Sequence, residues 1–354
     1  MVRSYSYFGR ILVFFIFSLA LVSCDDKSQD NKTSTKKVAS HLKGSLAIDQ
    51  VEKDPSGWPR SIMTSKGLVT LEKAPNRIVS TSVTLSGTLL AINAPLIASG
   101  ATMANTGVAS EQGFMRQWAP IAKERGVLAL YQTEPNAEAI IKANPDLIII
   151  SATSGDSAMK LYDQLKDIAP TLVIGYDNKS WMQLAKIFGD LLGLEKQAKN
   201  VIKDFEQKVA DTKSKITLPP QPTTAMVYYQ DDTGANIWTS KSAQGRLLKE
   251  LGFTLADVPE SVKGNISMGL RDDIIIATGE RFPDAVNGNS VLLFSASKDR
   301  EEALKKNSYL QSVNAIKNDQ VFAVGNDTFR LDYYSASNLL TRLQNLFGHP
   351  ENGQ

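Results

Sequence analysis

The chain has almost none of the residues that perform acyl chemistry or bind transition metals. Its 354 residues hold one cysteine, Cys24, and two histidines, His41 and His349, all in the terminal segments. A Ser-His-Asp triad, a Cys–His pair and a His-based zinc site each need an imidazole inside the folded body. All three are excluded, a single thiol excludes an internal disulfide, and only oxygen donors remain for a metal. A charge excess is also lacking. Of 39 Lys and Arg against 37 Asp and Glu, Arg3 and Arg10 fall in residues 1–23, which leaves 37 against 37. A nucleic-acid binder needs a concentrated basic face, so that class is excluded as well. Nor is there a long apolar run. The stretch 11–22 has about a dozen residues, short of the roughly 20 needed to span a bilayer.

With two arginines before it and Ser23 after it, that stretch reads as a secretory signal over residues 1–23. Cys24 closes the run LVSC and resembles the lipobox of a bacterial lipoprotein. The resemblance implies a lipid on the Cys24 thiol and a periplasmic chain anchored to a membrane. Asp25 resembles the signal that retains such proteins at the inner membrane. Residues 24–57 run from Cys24 into DDKSQDNKTSTKK and carry few large apolar side chains, the composition of a flexible tether.

Beyond residue 57, short apolar runs alternate with helical stretches. Strands are predicted at 77–81, 96–99, 145–151 and 171–174, with helices at 84–91, 134–143 and 157–168 between them. The run Leu147, Ile148, Ile149, Ile150 shows no alternation, as in a parallel strand covered on both faces. Residues 58–180 form one α/β lobe on this reading. A helical stretch over 181–216, broken near Gly193, leads into a second lobe over 217–347. There strands are predicted at 225–229, 273–277, 291–294 and 321–324, a helix at 242–251 and a last helix at 331–347. Residues 348–354 are a tail. The expected fold is α/β: two doubly wound lobes joined by one long helix, with a ligand cleft between them. A single linking helix hinges little and suits a monomer that captures a bulky, preformed ligand.

Four segments go further: RIVSTSVTLSG at 77–87, QGFMRQW at 112–118, NIWT with SAQG at 236–239 and 242–245, and TFRLDYYS at 328–335. Together, over residues 58–347, they resemble the helix-linked (cluster A, type III) solute-binding proteins of iron–siderophore ABC importers, in particular the members that bind ferric enterobactin. The resemblance implies a binding protein and not an enzyme, a ferric catecholate siderophore as ligand, and an inner-membrane ABC permease as partner. It implies no cofactor, since the siderophore itself holds the iron. Such a ligand is a trianion, which calls for planar, always-charged arginines and flat apolar rings.

On that basis the expected ligand-binding residues are Arg116, Trp118, Trp238, Arg271, Arg330 and Tyr333, with Arg330 opening the last helix. Gly107 departs from the resemblance, which implies a basic residue in the loop 105–108. Permease docking is expected at Glu138 in the first lobe and Asp273 in the second. The adjacent pairs Tyr333–Tyr334 and Tyr228–Tyr229 keep a rival open, the same fold holding bare ferric ion through phenolates or another siderophore. Haem and corrinoids are disfavoured, because no axial histidine is at hand.

Overall fold

The computed structural model describes residues 46–152, 156–229, 234–263 and 272–349. Cys24, the signal segment and Arg271 lie outside the described residues. The first lobe carries five parallel strands in the order β6-β5-β4-β7-β8: β4 (Ile78–Ser80), β5 (Leu96–Ala101), β6 (Leu128–Gln132), β7 (Leu147–Ser151) and β8 (Thr171–Ile174). The unbroken apolar runs of β4, β7 and β8 are buried throughout. Their side chains still alternate between faces. Val79, Ile148, Ile150 and Val173 enter the outer core of the lobe. Ile78, Leu147, Ile149, Leu172 and Ile174 turn to the inner one.

The helical stretch after this lobe is two helices, Trp181–Leu192 and Glu195–Lys215. Gly193 separates them in a left-handed conformation (φ 77°), the C-terminal cap that glycine tolerates best. The second helix, 21 residues and roughly 30 Å long, carries the chain to the second lobe. Its sheet runs β11-β10-β9-β12-β13, with β9 (Thr223–Tyr228), β10 (Ala235–Trp238), β11 (Ile274–Ala277), β12 (Ser290–Leu293) and β13 (Val321–Ala323). The second sheet, unlike the first, is mixed. β9, β12 and β13 are parallel, but β10 is antiparallel to both β9 and β11. The last helix is Tyr333–Phe347.

A correction concerns the N-terminus. The polar run read as a tether to residue 57 is already folded as β1 (Val51–Lys53), which pairs with β2 (Arg60–Thr64) and through it with β3 (Gly67–Leu71). An edge strand is held by its backbone, so Glu52 and Lys53 stay exposed and give no apolar signal. Ion pairs fasten this small sheet to the body. Lys53 and Arg60 both meet Glu195, at 3.1 and 2.7 Å, and Asp49 meets Lys179 at 2.7 Å.

The largest core is shared between lobes. It includes inner-face residues of the first sheet, Trp181, Phe188 and Phe205 of the linking helices, Leu339 and Leu343 of the last helix, and Val227, Trp238 and Leu248 of the second lobe. Close-packed apolar surface of this kind resists large relative rotation.

Candidate functional site

The cleft opens at the carboxyl ends of the parallel strands, where ligands bind in open α/β sheets. In the first sheet the strand order reverses at β4. The turn after β4 leads into the buried helix Val83–Ala91, capped by Ser82, whose Oγ accepts from the Leu85 amide at 3.1 Å. Val83 and Thr84 of its first turn face the cleft, beside Gly100 near the end of β5 and Thr102 after it, Asp156 after β7 and Tyr176 after β8. The second lobe answers with Tyr229 after β9, Trp238 at the end of β10, Ser295 after β12 and the segment 326–332 after β13.

Three cavities of about 420, 380 and 100 Å³ meet at Thr84 and Arg330. Arg330 lines all three. Its guanidinium carbon sits 4.5 Å above the Tyr176 ring and 5.7 Å from that of Phe329, within cation–π range. Phe329 in turn meets Trp238 edge-on at 5.8 Å. Arg330 has no carboxylate within salt-bridge distance among the described residues, so its charge is uncommitted. Lys160 lines the 420 Å³ cavity and is likewise unpaired among the described residues. Asp156 would repel an anion there, but three donors consume it: the Tyr176 hydroxyl at 2.9 Å, the Ser82 hydroxyl at 2.5 Å and the Thr84 amide at 3.1 Å. Burial pushes the phenols of Tyr131 and Tyr176 well above their ordinary range, so both stay protonated.

At the floor of the cleft, Asp332 is buried. One carboxylate oxygen caps the last helix, accepting from the Tyr334 and Ser335 amides at 2.8 and 2.9 Å; the other accepts from Gln117 of the first lobe at 3.1 Å. Desolvation dominates these hydrogen bonds and lifts the Asp332 carboxyl to about 6. Gly87 leaves room for it, since a Cβ there would stand 2.6 Å from Asp332 Oδ2.

The sequence-predicted residues divide. Arg330 is central, though not as a helix opener: the helix begins at Tyr333, and Asp332 takes its N-terminal amides. Trp238 is a buried wall residue of the innermost cavity. Arg116 is exposed and forks onto the Thr106 carbonyl at 3.0 and 2.8 Å, bracing the loop at the rim. Trp118 corrects the expectation of a ligand contact. It is wholly buried against Phe114, 5.0 Å between rings, and belongs to the lobe core. Tyr333 also points elsewhere: its hydroxyl accepts from Lys208 at 2.9 Å, and its ring meets Trp181 and Phe205 on the linking helices. Glu138 is exposed in the first turn of the helix Ala137–Lys142, open to a partner. Asp273, expected to dock a permease, instead lines the innermost cavity with Trp238 and Arg330. Tyr176, Asp156, Lys160 and Asp332 were not legible beforehand. Tyr176 and Asp156 follow strands as single residues, Lys160 sits in the short 3-10 helix Met159–Leu161, and Asp332 is the N-cap of the last helix, and no spacing marks them as a site.

A two-lobed solute-binding protein with an anion-receptive cleft is what this fold and site define. Residues 78–328 match the family described as periplasmic binding protein, and the chain belongs to that family. It is 53% identical to the ferric enterobactin-binding periplasmic protein FepB of Escherichia coli O6:H1, over 82% of this chain and 91% of that one. The crystal structure of holo-ViuP superposes with a TM-score of 0.75 at 29% identity, covering 82% of this chain and 96% of that one. Staphylococcus aureus SirA complexed with staphyloferrin B shares the fold, with a TM-score of 0.61 at 22% identity over 80% and 97% of the two chains. The chain is a binding protein, not an enzyme, and is periplasmic. Among its described residues no helix is long and apolar enough to cross a membrane.

Proposed function

We propose that this protein captures a ferric catecholate siderophore of the enterobactin type in the periplasm and delivers it to an inner-membrane ABC permease. The observation that carries the reading is Arg330: an uncommitted guanidinium on aromatic rings, at the point where three cavities of the cleft meet. Such a group forks onto paired oxygens of a multiply charged ligand, while Phe329 and Trp238 offer flat apolar surface to catechol rings. Lys160 adds a second cation, and Arg116 and Arg271 complete the proposed basic set. Similarity to a ferric enterobactin-binding protein over most of the chain supports the ligand class.

On this reading the siderophore supplies every iron ligand, and the protein needs no resident cofactor. Among the described residues no three His, Cys, Asp or Glu side chains gather as a metal site. The tyrosine pairs do not favour bare ferric ion. The Tyr228 hydroxyl accepts from Asn307 in the second-lobe core, Tyr229 accepts from Asn236, Tyr333 accepts from Lys208, and burial pushes Tyr334 up to about 12. Glu138 is the proposed permease contact of the first lobe, and the Cys24 thiol the proposed lipid anchor of a monomer. Titration of the protein with ferric enterobactin, ferrichrome and ferric citrate, followed by tryptophan fluorescence, tests the reading. Saturable quenching by the catecholate well below the other two supports it; preference for ferrichrome or citrate overturns it.

A further inference from the structure

Arg330 belongs to the second lobe, but the surface on which it rests belongs to the first. Tyr176 follows β8 and is 7% exposed, with its ring face turned to the guanidinium at 4.5 Å. Its far end is pinned, because the hydroxyl donates to Asp156 Oδ1 at 2.9 Å. Asp156 is fixed in turn by the Ser82 hydroxyl and the Thr84 amide, both at the start of a buried helix. A chain of contacts therefore runs from the rigid first turn of that helix through Asp156 and Tyr176 to the arginine across the cleft.

We propose that Tyr176 is the positioning residue for Arg330, held in place by Asp156, so that the guanidinium is oriented across the cleft before the ligand arrives. The inference rests on the anionic-ligand reading above. An arginine on a long flexible stem loses rotamer freedom when it is immobilised by a ligand, and that loss weakens binding. A ring already stacked beneath the guanidinium lowers the loss without consuming any of its five donors. The arrangement also explains a carboxylate within an anion-receptive cleft. Asp156 serves as the anchor of the platform, and its oxygens are already satisfied.

The inference predicts a dependence on the ring, not on the hydroxyl alone, and a coupling to Arg330. Tyr176→Phe, Tyr176→Met, Arg330→Gln and the Tyr176→Met/Arg330→Gln double variant would be titrated with whichever of ferric enterobactin, ferrichrome and ferric citrate the wild-type protein binds. Tyr176→Phe should stay within about threefold of wild type, and Tyr176→Met should bind roughly tenfold more weakly. The double variant should bind within about twofold of Arg330→Gln alone, the non-additive result expected of residues acting together. Tyr176→Leu replaces Tyr176→Met should the latter lose its cooperative thermal melt. A double variant weakened by the product of the single losses overturns the inference, as does a Phe variant as weak as the Met variant. Either result leaves the functional reading standing. That reading fails separately, if wild type does not bind the catecholate.

Discussion

Replacing Asp332 by asparagine should raise the stability of this protein at neutral pH. The carboxyl is buried, and desolvation raises it from an ordinary 3.8 to about 6 in spite of four hydrogen bonds that favour its charge. A group whose folded value lies above its unfolded one binds its proton more tightly in the folded state. Stability is then highest while the group is protonated in both states, falls as pH rises from about 4 to about 6, and levels off above. The difference corresponds to on the order of 3 kcal/mol withheld at pH 7. Asparagine is an equivalent N-cap, so the amides of Tyr334 and Ser335 keep their acceptor. Gln117 would need only to turn its amide over. Its Oε1 is buried without a partner among the described residues, and is placed to accept from the introduced amide. Scanning calorimetry at half-unit steps from pH 4 to 8 reads the difference between Asp332→Asn and wild type. The variant should melt roughly 5 °C or more above wild type at pH 7, given about 2–4 °C per kcal/mol for a chain of this size class. The gap should close towards pH 4. Parallel curves, or a variant less stable at pH 7, would refute the reasoning.

Arg330→Gln should weaken ferric enterobactin binding by roughly 5- to 150-fold, the loss of about 1–3 kcal/mol from a charge-assisted contact. Arg330→Lys should recover part of it, and neither should move the melting temperature by more than a degree or two, because no ion pair is broken. Titration beside a thermal melt checks both, and unchanged affinity with a large drop in stability would assign Arg330 to the fold alone. Gly107→Arg should tighten binding by roughly threefold or more and steepen its salt dependence. A Cβ there meets only Asn326 Nδ2, at 3.9 Å, so the added cation has room at the mouth of the cleft. Cys24→Ser should release the protein from membranes with ligand affinity unchanged; retention in the membrane pellet would count against the lipid anchor.

The parts of the fold legible in the sequence are those with strong local physics. The all-apolar run of β7 announced a parallel strand covered on both faces, and Gly193 marked the break between the linking helices. β1 was hidden because an edge strand held only by backbone pairing can carry exposed Glu52 and Lys53. β10 was not predicted as a strand: its run is only four residues long, and its antiparallel place depends on long-range pairing with β9 and β11. For the site, the resembling segments together with the demand for arginines and flat rings pointed to Arg330 and Trp238. Trp118 and Tyr333 misled because residue type does not fix direction: one turns into the lobe core and the other onto the linking helices. Tyr176 and Asp156 became visible only when the fold brought the ends of β7 and β8 beside a residue from the other lobe.

The central claim is that an intact ferric catecholate is bound in the cleft with its iron still held by the siderophore. Mixing the mature protein with ferric enterobactin, separating it by gel filtration and recording the visible spectrum tests this directly. The account predicts co-elution of one siderophore per chain with the ferric tris-catecholate absorption band preserved. Failure to co-elute, or a bound iron whose catecholate band has given way to another spectrum, would contradict it.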